Sequence, residues 1–106
     1  MKGICNIIGH QHNFRIQLAA TLLVIIAGYF FSISPTEWLI IILTVALVLS
    51  LEAVNTAIEY MVDHISKEHS PEAGRIKDIA AGAVLIASIF SVIIALIIFL
   101  PKILSL

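Results

Sequence analysis

Residues 35–63 decide the fold of this chain, and their sequence is PTEWLIIILTVALVLSLEAVNTAIEYMVD. The first half is uncharged over residues 38–51, and this apolar run leads directly into Glu52. A charged side chain in such a setting is energetically unfavourable unless it binds a partner or serves a function. The segment therefore predicts a long helix that crosses a membrane and ends in a polar part with a functional role.

Four polar side chains of this segment share one face of the predicted helix. At 100° per residue they fall within an arc of about 80°, and they are Glu52, Asn55, Glu59 and Asp63, here called the polar stripe. Glu52 lies about 25 Å beyond Pro35 along the axis, and Glu59 about 36 Å beyond it. Because the hydrocarbon core is about 30 Å thick, we expect Glu52 just inside the membrane, Glu59 at its edge and Asp63 in water.

The composition indicates an all-α membrane protein. The chain is 60% hydrophobic and 12% charged, with a mean hydropathy of +1.10, whereas a soluble domain is about half apolar and a quarter charged. Its 106 residues leave room for a single domain, residues 1–106. A net charge of -1 gives no sign of a nucleic-acid partner, and the single Cys5 cannot form an internal disulfide.

Apolar runs and helix start signals divide the chain into three predicted transmembrane spans. Ser34, Pro35 and Glu37 have the spacing of a capping box at the start of the second helix, and Ser70 with Pro71 repeats the start signal for the third. The third apolar run ends at Pro101. We predict spans over roughly 16–33, 36–62 and 78–100, preceded by a short amphipathic segment in residues 1–12.

The basic residues predict the orientation. Five fall on one side of the membrane and only Lys102 on the other, the five being Lys2, Arg15, Lys67, Arg75 and Lys77. Cytoplasmic segments carry the excess of lysine and arginine. We therefore expect the N-terminus and the loop 64–78 in the cytoplasm, with the polar stripe facing the ATP-containing compartment.

The polar stripe and Lys77 together have the parts that phosphoryl transfer requires. Clustered carboxylates hold divalent cations, a lysine neutralises phosphate charge, and one carboxylate takes the proton of the attacking hydroxyl. The sequence has no glycine-rich phosphate loop. Any nucleotide site would therefore be built from helix faces.

A purely structural interpretation of the same residues stays open at this point. Glu59 and Asp63 could solvate the end of a long helix, and Lys77 with Asp78 could extend to the membrane surface and cap a helix. Gly74, like Ala81, Gly82 and Ala83, fits a helix-packing surface, because small residues let membrane helices approach closely. This interpretation explains Glu52 least well.

Two motifs resemble the prokaryotic integral-membrane diacylglycerol kinases, a family that includes the undecaprenol kinases. The segment 52–63, EAVNTAIEYMVD, is similar to the family's E-x-x-N-[ST]-A-I-E-x-x-V-D, and the segment 74–84, GRIKDIAAGAV, to its G-x-x-K-D block with following small residues. The segments 13–15, NFR, and 34–38, SPTEW, resemble the undecaprenol-kinase branch. The resemblance covers essentially the whole chain.

The resemblance implies a homotrimeric bundle of three-helix subunits in the bacterial inner membrane. It implies transfer of the γ-phosphoryl of ATP, with Mg²⁺, to the hydroxyl of undecaprenol or diacylglycerol. By motif, Glu52 would be the catalytic base with Asn55 as its polar neighbour, and Glu59 would bind the metal. The nucleotide side would comprise Asp63, Glu68, Gly74, Lys77 and Asp78.

Two departures from the family pattern bear on activity. Where the family usually has a second metal-binding glutamate, this chain has Gln11, whose amide oxygen can coordinate a cation but brings no charge. The chain also begins about one amphipathic turn late. The alternatives to a lipid kinase are therefore a non-catalytic or impaired family member acting as a membrane scaffold, and a small transporter with Glu52 as its proton site.

Overall fold

Three α-helices account for almost all of the structure. The computed structural model describes residues 12–66 and 70–106, which form α1 (His12–Phe30), α2 (Pro35–Ile65) and α3 (Pro71–Leu104), with no strand among these residues. The predicted all-α class is confirmed. Residues 1–11 of the predicted amphipathic segment lie outside the described residues.

The helices have the lengths and surfaces of membrane segments. α2 and α3 are each long and apolar enough to cross a bilayer, while α1 is apolar over the shorter Phe14–Phe30, about 26 Å of helix. Large apolar side chains remain exposed along all three helices, including Leu23, Leu43 and Ile97. A surface of this kind is stable in lipid and not in water, so the chain is an all-α membrane protein.

Local side-chain chemistry sets the start of α2 and of α3. The Ser34 hydroxyl accepts from the Glu37 backbone N–H at 3.1 Å, and the Glu37 carboxylate accepts from the Ser34 N–H at 2.9 Å. This is the predicted capping box. At α3 the Ser70 hydroxyl accepts from the Ala73 N–H at 3.0 Å, with Pro71 at the first helical position.

A tight turn between α1 and α2 closes the end of the bundle farthest from the polar stripe. Ser32 adopts a positive φ of 51°, which an α-helix does not contain, and α1 ends two residues before it. The side chain of the next residue, Ile33, is buried in the core. The core cluster contains Ile33, Ile41, Ile98 and Phe99. α1 therefore ends at Phe30 rather than continuing through Ile33.

An ion pair joins the start of α2 to the end of α3 beside this core. The Lys102 Nζ lies 2.8 Å from the Glu37 Oε2 and also donates to the Ile98 carbonyl at 3.1 Å. α3 continues past Pro101 to Leu104, because a proline in the last turn removes only one backbone hydrogen bond. The Ser105 hydroxyl donates to the Pro101 carbonyl at 2.8 Å and so provides a hydrogen-bond donor for a carbonyl at the end of α3.

Candidate active site

The polar stripe runs along α2 from a buried to an exposed position. Glu52 is only 6% exposed, Asn55 and Glu59 are partly buried, and Asp63 is exposed. The stripe therefore offers a buried carboxylate at one end and a solvent-accessible carboxylate at the other.

Asn55 is held by its neighbour one turn along the stripe. Its Nδ2 donates to the Glu59 Oε1 at 3.2 Å, as the i, i+4 spacing allows. The Asn55 Oδ1 is buried and has no hydrogen-bond partner among the described residues. A buried acceptor without a donor is unfavourable by about 1–3 kcal/mol, so this oxygen has the capacity to accept a hydrogen bond from a bound ligand.

Thr56 is a buried polar residue that the sequence analysis did not select. It is only 3% exposed, and its hydroxyl donates to the Glu52 carbonyl at 3.0 Å. Its proton is therefore engaged within α2. The i, i+4 spacing of Thr56 from Glu52 is a signal that could have identified it.

Lys77 links α3 to the exposed end of the stripe. Its ammonium forms an ion pair with the Asp63 carboxylate, and the two side chains are 32% and 60% exposed. An ion pair this exposed contributes little stability. Its importance is positional, because it brings the lysine of the second motif to the acidic stripe of the first.

Gly74 and Asp78 lie near the start of α3, and both are exposed. A side chain added at Gly74 would meet no atom within 4 Å, and the same holds for Gly82. Within the described part of one chain, this face is therefore open rather than a packing surface. The two other predicted site residues, Gln11 and Glu68, lie outside the described residues.

The described residues hold few ligands for a metal. No group of three or more histidine, cysteine, aspartate or glutamate side chains comes together within residues 12–66 and 70–106. Mg²⁺, however, is usually bound by one or two carboxylates together with waters and substrate phosphates. Glu59, next to the amide of Asn55, fits that kind of incomplete site.

The comparison with protein families agrees with the two motifs. The family described as prokaryotic diacylglycerol kinase matches residues 1–99. This chain belongs to the prokaryotic diacylglycerol kinase family. The two motifs of this chain lie on the polar stripe of α2 and at the start of α3, where the Asp63–Lys77 ion pair connects them.

Characterised relatives in the prokaryotic diacylglycerol kinase family span most of the chain. The undecaprenol kinase of Bacillus subtilis is 45% identical over 101 residues, which cover 95% of this chain and 82% of the relative. The diacylglycerol kinase of Synechocystis is 38% identical over 105 residues, covering 98% and 60%. The diacylglycerol kinase of Escherichia coli is 36% identical over 84 residues, covering 79% and 69%.

Membership of the prokaryotic diacylglycerol kinase family identifies the chain as an enzyme, a membrane lipid kinase. A kinase uses ATP as its phosphoryl donor, so ATP is the implied co-substrate. The fold described above combines apolar helices with a partly exposed acidic stripe.

Proposed function

We propose that this kinase transfers the γ-phosphoryl group of MgATP to the hydroxyl of undecaprenol, with diacylglycerol as the second candidate acceptor. The greater identity to the Bacillus subtilis undecaprenol kinase, 45% against 36–38% for the diacylglycerol kinases, supports this order. The observation that carries the proposal is the gradient of burial along the polar stripe, from buried Glu52 to the exposed Asp63–Lys77 pair.

Glu52 is the proposed general base. Its position on the buried part of α2 suits contact with a hydroxyl whose tail lies in lipid. The hydroxyl oxygen forms a bond to the γ-phosphorus, the bond from that phosphorus to the bridging oxygen of ADP breaks, and the hydroxyl proton moves to Glu52. The buried Oδ1 of Asn55 supports a role as the group that accepts and orients the hydroxyl before transfer.

The nucleotide is proposed to bind at the exposed end of the stripe and the start of α3. The Lys77 ammonium, now paired with Asp63, would exchange that carboxylate for phosphate oxygens. Gly74 leaves open space on the same helix, and Asp78 is exposed beside it. Glu68, which follows α2 in the sequence, completes the proposed nucleotide side.

Glu59 and Gln11 are the proposed ligands of the magnesium ion. The ion would neutralise charge on the phosphates when bound. Glu59 supplies a single carboxylate and Asn55 holds it by a hydrogen bond. Gln11 would supply a neutral oxygen where a second carboxylate is the family pattern.

The assembly and orientation are also proposals. The single domain with three spans, at roughly 16–33, 36–62 and 78–100, would form a homotrimer in the bacterial inner membrane. The excess of basic residues supports a cytoplasmic N-terminus and loop 64–78. The open face around Gly74 and Gly82 is consistent with a site completed by a second subunit.

The test is ATP-dependent labelling of lipid by membranes that contain this chain, with undecaprenol or diacylglycerol supplied in turn. Glu52→Gln should lower the labelling rate about a hundredfold or more, because it removes the base. Glu37→Gln makes the same chemical change on α2 at the opposite end and should retain the rate within about twofold.

Three outcomes would contradict the proposal. Absence of labelling with either lipid would favour the scaffold function, and proton flux without labelled lipid would favour the transporter. Labelling that survives Glu52→Gln would remove Glu52 from its proposed role.

A further inference from the structure

A cavity of about 200 Å³ lies between all three helices. Its wall includes Ala20 from α1, Val48 from α2, and Ser91 and Ala95 from α3. Small side chains on α1 and α3 leave this space open in the membrane interior. The cavity is separate from the nucleotide end of the stripe, which lies on the other side of Glu52 along α2.

The cavity begins one helical turn below Glu52. Val48 precedes Glu52 by four residues, about 6 Å along the axis. The ion pairs Asp63–Lys77 and Glu37–Lys102 fix an antiparallel register of α2 and α3. In this register Ser88 is level with Glu52, and Ala95 lies about 10 Å deeper in the membrane.

The polar groups of the wall are largely engaged with one another or with their own helices. The hydroxyls of Thr21, Thr44 and Ser91 donate to backbone carbonyls at 2.7–2.8 Å. The Gln17 amide donates to the Ser88 hydroxyl at 3.4 Å. A wall with few free donors, otherwise lined by valine, isoleucine and alanine, favours a hydrocarbon over water.

We propose that this cavity takes the part of the acceptor's tail that follows the hydroxyl, and that Ala20 and Ala95 set the size of tail it admits. The inference rests on the proposed function, because it is the hydroxyl at Glu52 that directs the tail toward Val48. Ala20 limits the cavity from α1 and Ala95 from α3. A larger residue at either position would displace the tail without touching Glu52.

The experiment compares undecaprenol with prenol, the alcohol of a single isoprene unit, as acceptors. Ala20→Leu should raise the KM for undecaprenol about tenfold, as expected when about two methylene groups lose their buried position. The KM for prenol and both kcat values should stay within about twofold. Ala19→Leu is the matched control, because Ala19 is the adjacent exposed alanine of α1 and does not line the cavity.

Ala95→Leu fills the same space from α3 and keeps the test valid if Ala20→Leu fails to fold. The same selective rise in KM for undecaprenol is expected. An unchanged KM together with a raised thermal midpoint would mean that bulk lipid fills the cavity. An equal loss with both acceptors, together with a changed oligomer mass, would mean that a second copy of the chain occupies it.

Failure of the underlying function gives a different result. In that case the unsubstituted protein phosphorylates neither alcohol, and both the proposed function and the tail site are contradicted. The tail site alone would be overturned if the unsubstituted protein phosphorylates both alcohols but the KM for undecaprenol is the same in Ala19→Leu as in the two cavity variants.

Discussion

The residues of the polar stripe differ chiefly in their access to water. Glu52 and Asp63 are both carboxylates on one face of α2, but the first is 6% exposed and the second is exposed. Few water molecules compete for hydrogen bonds to a buried carboxylate, so it can act on a lipid hydroxyl. An exposed one leaves its partner Lys77 accessible, so that the ammonium can exchange the carboxylate for a soluble phosphate.

Gln11 offers a test of the metal site at the level of one residue. Gln11→Glu would add a charge at the position where the resemblance to the family implies a carboxylate. The magnesium concentration for half-maximal rate should fall about fivefold, as expected for one added charge-assisted contact. Titration of labelling rate against magnesium measures this.

Gln11→Leu is the control, because it removes the amide oxygen without adding charge. Its half-maximal magnesium concentration should rise. If neither substitution moves that concentration, Gln11 lies outside the metal site.

Residue chemistry was predictable from sequence where neighbours in sequence interact. Ser34 with Glu37, and Ser70 with Ala73, form their caps within four residues, so spacing alone indicates them. The Glu37–Lys102 ion pair joins residues 65 positions apart, and no local pattern selects it. The cavity could not be predicted from the sequence either, since it exists only where the side chains of three helices meet.

At the scale of elements, α1 and α2 pack closely beside their connecting turn. Gly28 faces the Trp38 ring, whose centroid lies 5.1 Å from that of Tyr29. A Cβ at Gly28 would lie 2.6 Å from the Trp38 Cη2 and 3.2 Å from the Ile33 Cδ1. The absence of a side chain at Gly28 therefore allows the tryptophan to pack against α1.

Gly28→Ala should destabilise the protein by about 1–3 kcal/mol, because the Trp38 ring must move. The thermal midpoint in lipid or detergent should fall by several degrees. Gly82→Ala is the matched control, since its Cβ would meet no atom within 4 Å. Alanine is the better helix former there, by up to about 1 kcal/mol, so its midpoint should hold or rise. Equal midpoints for the two variants would contradict the close packing of α1 on α2.

The number and order of the helices followed from the sequence, and their ends followed less well. The apolar run continues through Ile33, but the positive φ of Ser32 ends α1 and directs Ile33 into the core. Pro101 marks the end of an apolar run, yet α3 continues to Leu104. The end of α1 depends on a turn that buries Ile33, and α3 continues because a proline in its last turn removes only one backbone hydrogen bond, so the apolar pattern alone predicts neither end.

Across the whole molecule, ion pairs connect α2 and α3 at both ends. Glu37 and Lys102 meet at the end that carries the core, and Asp63 and Lys77 meet at the end that carries the candidate site. The long axis of 55 Å exceeds the roughly 40–45 Å of a complete bilayer. One molecule can therefore reach from the lipid interior to the surrounding solution.

The central claim is a division of labour along this axis, with chemistry at the buried end of the stripe and nucleotide binding at the exposed end. The most direct measurement is the dissociation constant for MgATP in three proteins: the unsubstituted chain, Glu52→Gln and Lys77→Met. Lys77→Met should weaken nucleotide binding about tenfold or more, because it removes a charge-assisted contact to phosphate. Glu52→Gln should bind the nucleotide within about twofold of the unsubstituted chain while transferring almost no phosphate. Equal weakening of nucleotide binding by both substitutions, or by neither, would contradict the division.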